Sequence, residues 1–136
     1  MQSVMNYSRK ESPRAEYRLS RNQRVNDSTT LAQQYPGLKT LTVSLTFFDV
    51  SRESQIGAMK YKPNLAHAKS LLCVNCLNQI CVGGDYDLTG ILAQAVAKHQ
   101  SSVAGELRCQ GTLHNKERAQ LTPCQSILRY TLTLRF

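Results

Sequence analysis

Three of the chain's five cysteines, Cys73, Cys76 and Cys81, fall within nine residues and run into Gly83-Gly84, while Cys109 and Cys124 follow at a distance. Soft thiolates arranged as one close group and one distant pair are what a tetrahedral zinc site uses, because one turn supplies two ligands and a second loop the other two. Cys76 and Cys81 flank a four-residue turn, and Gly83 lets the backbone curl so that N–H groups point at the sulfurs. If the strands on either side of residues 110–123 pair as a hairpin, Cys109 and Cys124 meet at its loop end. The first choice of ligands is therefore Cys76, Cys81, Cys109 and Cys124 around a structural Zn2+.

Cys73 and His114 stand in reserve. Cys73-x2-Cys76 is itself a zinc-knuckle spacing and a dithiol redox spacing. A redox pair is usually activated at a helix N-terminus, whereas this one lies at the end of an expected strand, so Cys73 is expected to pack as a small apolar residue. The competing reading of the whole group is five buried thiols with no metal.

The remaining residues offer little chemistry. Asp85 and Asp87 lie beside an expected helix start, where a turn and an N-cap explain them better than general acid–base work does. His67 and His99 have no companions. There is no Gly-rich phosphate loop, nucleophile triad or HExxH pattern.

The elements that must position the thiols follow from periodicity. Leu41, Val43, Leu45 and Phe47 alternate with Thr42, Ser44 and Thr46 inside a strand expected over Leu38 to Val50. Ser51 to Asn64 reads as a loop or wide connection, and Ala66 to Val74 as a second strand. Leu88, Ile91, Leu92, Ala95, Val96 and His99 share one face of a helix ending near Lys98-His99, with Asp87 as its cap. Val103 to Cys109 is the third strand and Ile127 to Phe136 the fourth, with Arg129, Thr131, Thr133 and Arg135 facing out. The expected fold class is α+β: a four-stranded antiparallel sheet in the order β-β-α-β-β, with one helix on one face and a Cys-rich metal clamp.

The chain carries a net charge of +8 over 136 residues, enough for one modest core. Residues 1–36 hold six Arg and Lys against three acids, with few large apolar side chains and no sustained period. They are expected to be a basic, disordered tail preceding a zinc-stabilised domain over residues 37–136. No apolar run is long enough to span a bilayer and Met1 to Pro13 is polar, so a cytoplasmic protein with thiols kept reduced and no membrane partner is expected.

The residues Cys76, Cys81, Gly83, Gly84, Tyr86, Asp87 and Leu88, then Cys109, Gln110 and Gly111, then Cys124 and Tyr130 resemble a family of small bacterial proteins. That family carries Cys-x4-Cys-x-Gly-Gly-x-(Phe/Tyr)-Asp-Leu, Cys-Gln-Gly, and a final Cys before a terminal aromatic strand. The likeness covers Ala66 to Phe136, about half the chain. It departs at Thr112, where the family often has an aromatic residue. The resemblance implies a zinc-binding domain with the four ligands already favoured, and brings no activity with it.

Three functions fit. The first is a binding module in which Arg129, Arg135, Lys116 and Arg118 contact RNA, DNA or an acidic protein. A four-thiolate site has no open coordination position and so holds structure without doing chemistry. The second is a metal-dependent enzyme in which one cysteine fails to ligate and a metal-bound water acts beside Asp85. The third is a redox- or metal-responsive protein using Cys73 and Cys76. The binding module is the first choice, ahead of an enzyme.

Overall fold

The computed structural model describes residues 13–113 and 122–136. A four-stranded antiparallel sheet forms the frame. Its two central strands are Thr40–Phe48 (β1) and, as numbered in chain order below, Ile127–Arg135 (β9). Both alternate apolar and polar residues, and their register sets apolar against apolar: Leu41 opposite Leu134, Val43 opposite Leu132, Leu45 opposite Tyr130 and Phe47 opposite Leu128. These side chains are all buried, so a slip by one residue would turn the whole apolar set to water.

The edges of the sheet are Gln55–Tyr61 (β2) beside β1 and Ser102–Arg108 (β6) beside β9. The second strand thus differs from the one expected. β2 leaves six of its seven residues exposed, so it lacks the buried alternation by which strands are read in a sequence. It forms because the turn that precedes it closes tightly: Asp49 N–H donates to the Ser54 carbonyl at 2.9 Å, and Asp49 Oδ1 accepts from Glu53 N–H. Over the expected strand Ala66 to Val74, Asn64 instead caps a turn by accepting from Ala66 and His67. Only Cys73–Asn75 (β3) is extended there. It pairs outside the main sheet with Asp85–Asp87 (β5), Cys73 lying opposite Asp87 and Asn75 opposite Asp85.

Between β3 and β5 lies Cys81–Val82 (β4), which pairs with Thr112–Leu113 (β7), itself paired with Thr122–Pro123 (β8). One helix, Thr89–Ala97, follows β5 and buries Leu88, Leu92 and Ala95 in the core. Asp87 Oδ1 accepts the Thr89 N–H at 2.9 Å at its start. The helix ends where His99 turns to φ 52°; its exposed ring leaves the apolar face and stacks on Phe136 with centroids 4.2 Å apart.

Residues 13–36 overturn the expectation of a disordered tail across that stretch. Pro13–Asp27 forms α1 and Leu31–Gln34 forms α2, which makes the helix after β5 α3. Leu31 is only 1% exposed and belongs to the core. Its N–H donates to the Ala68 carbonyl at 2.8 Å, and Ser70 N–H donates to the Thr29 carbonyl at 2.7 Å. A capping box closes α2: Gln33 N–H donates to Thr30 Oγ1 and Thr30 N–H to Gln33 Oε1. Among the described residues no helix is long and apolar enough to cross a membrane.

Removing residues 1–36 should therefore lower the melting temperature. Leu31→Ala alone should cost about 2–5 kcal/mol, as truncation of a buried leucine does. Denaturant unfolding of both variants checks this, and an unchanged midpoint would mean that Leu31 fills no cavity worth keeping.

Candidate metal centre

Two backbone knuckles bring four sulfurs together. The first is the Cys76–Cys81 turn that links β3 to β4, closed by the Cys81 N–H donating to the Asn78 carbonyl at 3.0 Å. The second forms where β6 and β9 leave the main sheet. Cys109 N–H donates to the Ser126 carbonyl at 2.8 Å, and Cys124 N–H to the Gly111 carbonyl at 2.9 Å. The small β4–β7–β8 sheet ties the knuckles to each other, because β4 begins at Cys81 and β8 ends just before Cys124.

The Sγ atoms of Cys76, Cys81, Cys109 and Cys124 all lie within 4.8 Å of one another. Cys76 and Cys124 are 3.8 Å apart, and Cys81 and Cys109 are 3.6 Å apart. All four are free thiols. Metal–sulfur bonds of about 2.3 Å in a tetrahedron put neighbouring sulfurs about 3.8 Å apart, so the spacing suits a metal ion at the centre.

The surroundings suit thiolates as well. Asn78 N–H donates to Cys76 Sγ at 3.4 Å and Gly111 N–H to Cys109 Sγ at 3.3 Å, the same two-residue relation in each knuckle. Ser126 Oγ lies 3.1 Å from Cys124 Sγ. Glycine lets the backbone press this closely: Gly83 takes φ 68°, and a Cβ on Gly84 would collide with the sulfurs of Cys81 and Cys109. Tyr86 joins the centre to the core, since its O–H donates to the Ser126 carbonyl at 2.9 Å while its ring meets Phe47 at 6.1 Å.

Crowding acts unequally on the thiols. Donation from Cys109, with help from the Asn78 N–H and the Tyr86 O–H and against burial, holds the Cys76 thiol down at about 5. Burial and the charge on Cys76 push Cys81 up to about 12, and Cys109 is raised because it donates to Cys76 and is buried. Among Cys76, Cys81 and Cys109, then, charge on one sulfur opposes charge on the others. A cation at their centre reverses this by replacing mutual repulsion with attraction.

Cys73 is not among the four. It sits on β3 opposite Asp87, and burial together with the Asp87 charge pushes its thiol up to about 11, the reverse of what a reactive dithiol needs. His114, Lys116 and Arg118 lie outside the described residues. Arg129 and Arg135 are exposed on the open face of the sheet, and His67 is exposed near a turn.

One set of residues at the site is not legible in the sequence. From α1, Arg18 donates to the Gly84 carbonyl, and Arg21 donates to Asp85 Oδ2 at 3.0 Å and to Asn75 Oδ1 at 2.9 Å. The Arg21 and Asp85 side chains are each only 7% exposed. Asp85, expected to serve a turn, is thus half of a buried ion pair that fastens α1 to the hairpin carrying Cys76. Arginines scattered through a basic segment give no hint of which one is buried.

Comparison with family models, with curated protein sequences and with solved structures finds no match for this chain.

Three substitutions probe this arrangement. Gly84→Ala should disrupt the cysteine group and lower the melting temperature. Gly90→Ala, where nothing lies within 4 Å of the added carbon, should stabilise helix α3 by about 0.5–1 kcal/mol. Arg21→Met should cost about 3–5 kcal/mol by removing the arginine half of a buried ion pair. Equal effects of the two glycine variants in thermal unfolding would show that Gly84 is not packed against sulfur.

Proposed function

We propose that this protein is a binding module whose core is clamped by a structural zinc ion held by Cys76, Cys81, Cys109 and Cys124. The observation that carries this reading is the convergence of four free thiols from two knuckles, at separations of 3.6 and 3.8 Å where measured within pairs. Four thiolates close the coordination sphere, so the metal stabilises structure and leaves no position for a reacting water. Asp85, the carboxylate nearest to an enzymatic role, is engaged by Arg21. Thiols kept free in this way suit the reducing cytoplasm.

The partner is anionic. On the open face of the sheet, Lys60, Arg129 and Arg135 surround a field of hydroxyls from Thr42, Ser44, Thr46, Thr131 and Thr133. Glu106, the one acid on that face among the described residues, is already bound by Arg52 at 2.8 Å and Arg129 at 2.9 Å, and these contacts hold its carboxyl below the usual range. Such a surface attracts RNA, DNA or an acidic protein by long-range electrostatics.

Protein purified without added metal should contain one zinc per chain by elemental analysis; iron, which also accepts four thiolates, would declare itself by colour. Replacing Cys76, Cys81, Cys109 or Cys124 by Ser should release the metal and unfold the sheet. Cys73→Ser should retain it. Retention on an oligonucleotide column at low salt, lost steeply as salt rises, supports the anionic partner. A metal-free protein with full stability, or Cys73→Ser losing the metal while Cys81→Ser keeps it, would defeat the assignment.

A further inference from the structure

The free edge of β2 has the features of a docking strand, and we infer that it accepts an extended acidic segment of a partner protein as an added β-strand. This rests on the reading of the protein as a module for anionic partners, and names where and in what form one such partner binds.

β2 closes the sheet on one side, so among the described residues its outer backbone groups have no neighbouring strand. Edge strands are normally protected by proline, by inward-pointing charge or by a bulge along their length. Gln55–Tyr61 contains no proline and a single charged residue, Lys60, and its one irregularity lies at the hairpin end, between Phe47 and Phe48 of β1. The strand is therefore regular, unshielded and long enough to pair.

Side-chain pockets would come from the inner face. Met59 stands opposite Leu45 and Tyr61 opposite Val43, so both continue the core layer to its partly exposed margin. Met59 is 43% exposed and Tyr61 36%. Leu77, on the Cys76–Cys81 turn and 38% exposed, leans over β2 so closely that a Cβ on Gly57 would strike its Cδ1. Exposed apolar side chains flanking a bare edge fit the alternate side chains of an added strand.

Charge selects the sign of that strand. Lys60 and Lys62 lie at the end where β2 finishes, and Lys39 and Arg135 lie at the same end of the sheet, joined by the Lys39 N–H to Arg135 carbonyl bond of 2.7 Å. The acids of the sheet lie elsewhere: Asp49 and Glu53 in the opposite hairpin, and Glu106 tied to two arginines. A phosphate polymer matches these cations but not Met59, Tyr61 and Leu77, nor the unpaired backbone. A second copy of this chain would bring a further net charge of +8. An acidic strand with alternating apolar residues satisfies both the edge and the charge.

The probe is a short blocked peptide alternating valine and glutamate and ending in tryptophan, whose fluorescence reports the peptide alone because the chain has no tryptophan. It should bind the full-length, metal-loaded protein saturably. N-methylation of the peptide at alternate residues, tried in both phases, should weaken binding about tenfold or more in one phase, as the loss of one or two main-chain hydrogen bonds would. Met59→Gln should weaken it without altering the fold, and the valine–lysine peptide should not bind. Equal affinity for both N-methylated peptides and the parent would overturn the inference, as would concentration-dependent dimerisation abolished by Met59→Gln. Retention of oligothymidylate with no peptide binding would also overturn it while leaving the anionic reading intact. Failure of both probes would remove the two together.

Discussion

Four sulfurs held within 4.8 Å of one another are the constraint around which the rest of this molecule is arranged. Buried thiolates repel one another and lose hydration, so a group of this density persists only with a cation at its centre or with most of its protons retained. The backbone supplies amide donors to Cys76 and Cys109 and removes a side chain at Gly84, which lets the sulfurs approach without steric conflict. The strands between and beside the knuckles are short: β3, β4, β5, β7 and β8 have two or three residues each. Strands so short do not persist unaided, and their order depends on the link they share.

The main sheet and the cysteine group are joined at a few defined points. Tyr86 reaches from β5 to the Ser126 carbonyl and lays its ring near Phe47, which couples the hairpin to β1 and to the knuckle before β9. The Leu88 N–H donates to the Leu72 carbonyl, fixing the start of α3 to the segment that enters β3. Loosening of the sulfur group should thus be felt at the helix start and at the sheet centre together. Helix α1 is joined to the same hairpin by hydrogen bonds and an ion pair from Arg18 and Arg21. A buried ion pair of this kind contributes little net stability relative to an apolar contact, yet it is strongly directional, and it sets α1 in one position.

The surface divides by chemistry. The open sheet face is cationic and rich in hydroxyls, whereas the β2 edge, which has no neighbouring strand among the described residues, carries Met59 and Tyr61 beside Leu77. Charge acts over about 8–10 Å in physiological salt, whereas apolar burial and backbone pairing act only at contact.

How much was legible in the sequence depended on whether local patterning or distant pairing decided the outcome. β1 and β9 were readable because each buries one face, and Leu41 to Phe47 and Leu128 to Leu134 display that in a period of two. Helix α3 was readable from its apolar stripe, and the short spacing of Cys76 and Cys81, with Cys109 and Cys124 flanking a loop, pointed to the four thiols that the fold brings together. β2 was missed because an exposed edge strand has no buried face to impose alternation; it exists through pairing with β1. Helix α1 was missed because its docking uses Arg18 and Arg21, which look like solvated charges until Gly84, Asn75 and Asp85 are set opposite them. The Thr30-x-x-Gln33 capping box before α2 was visible, but that Leu31 belongs to the core was not. Periodicity and spacing record what a residue's near neighbours require of it, while ion pairs and edge strands depend on partners more than fifty residues away or on a neighbouring strand, which only the folded chain supplies.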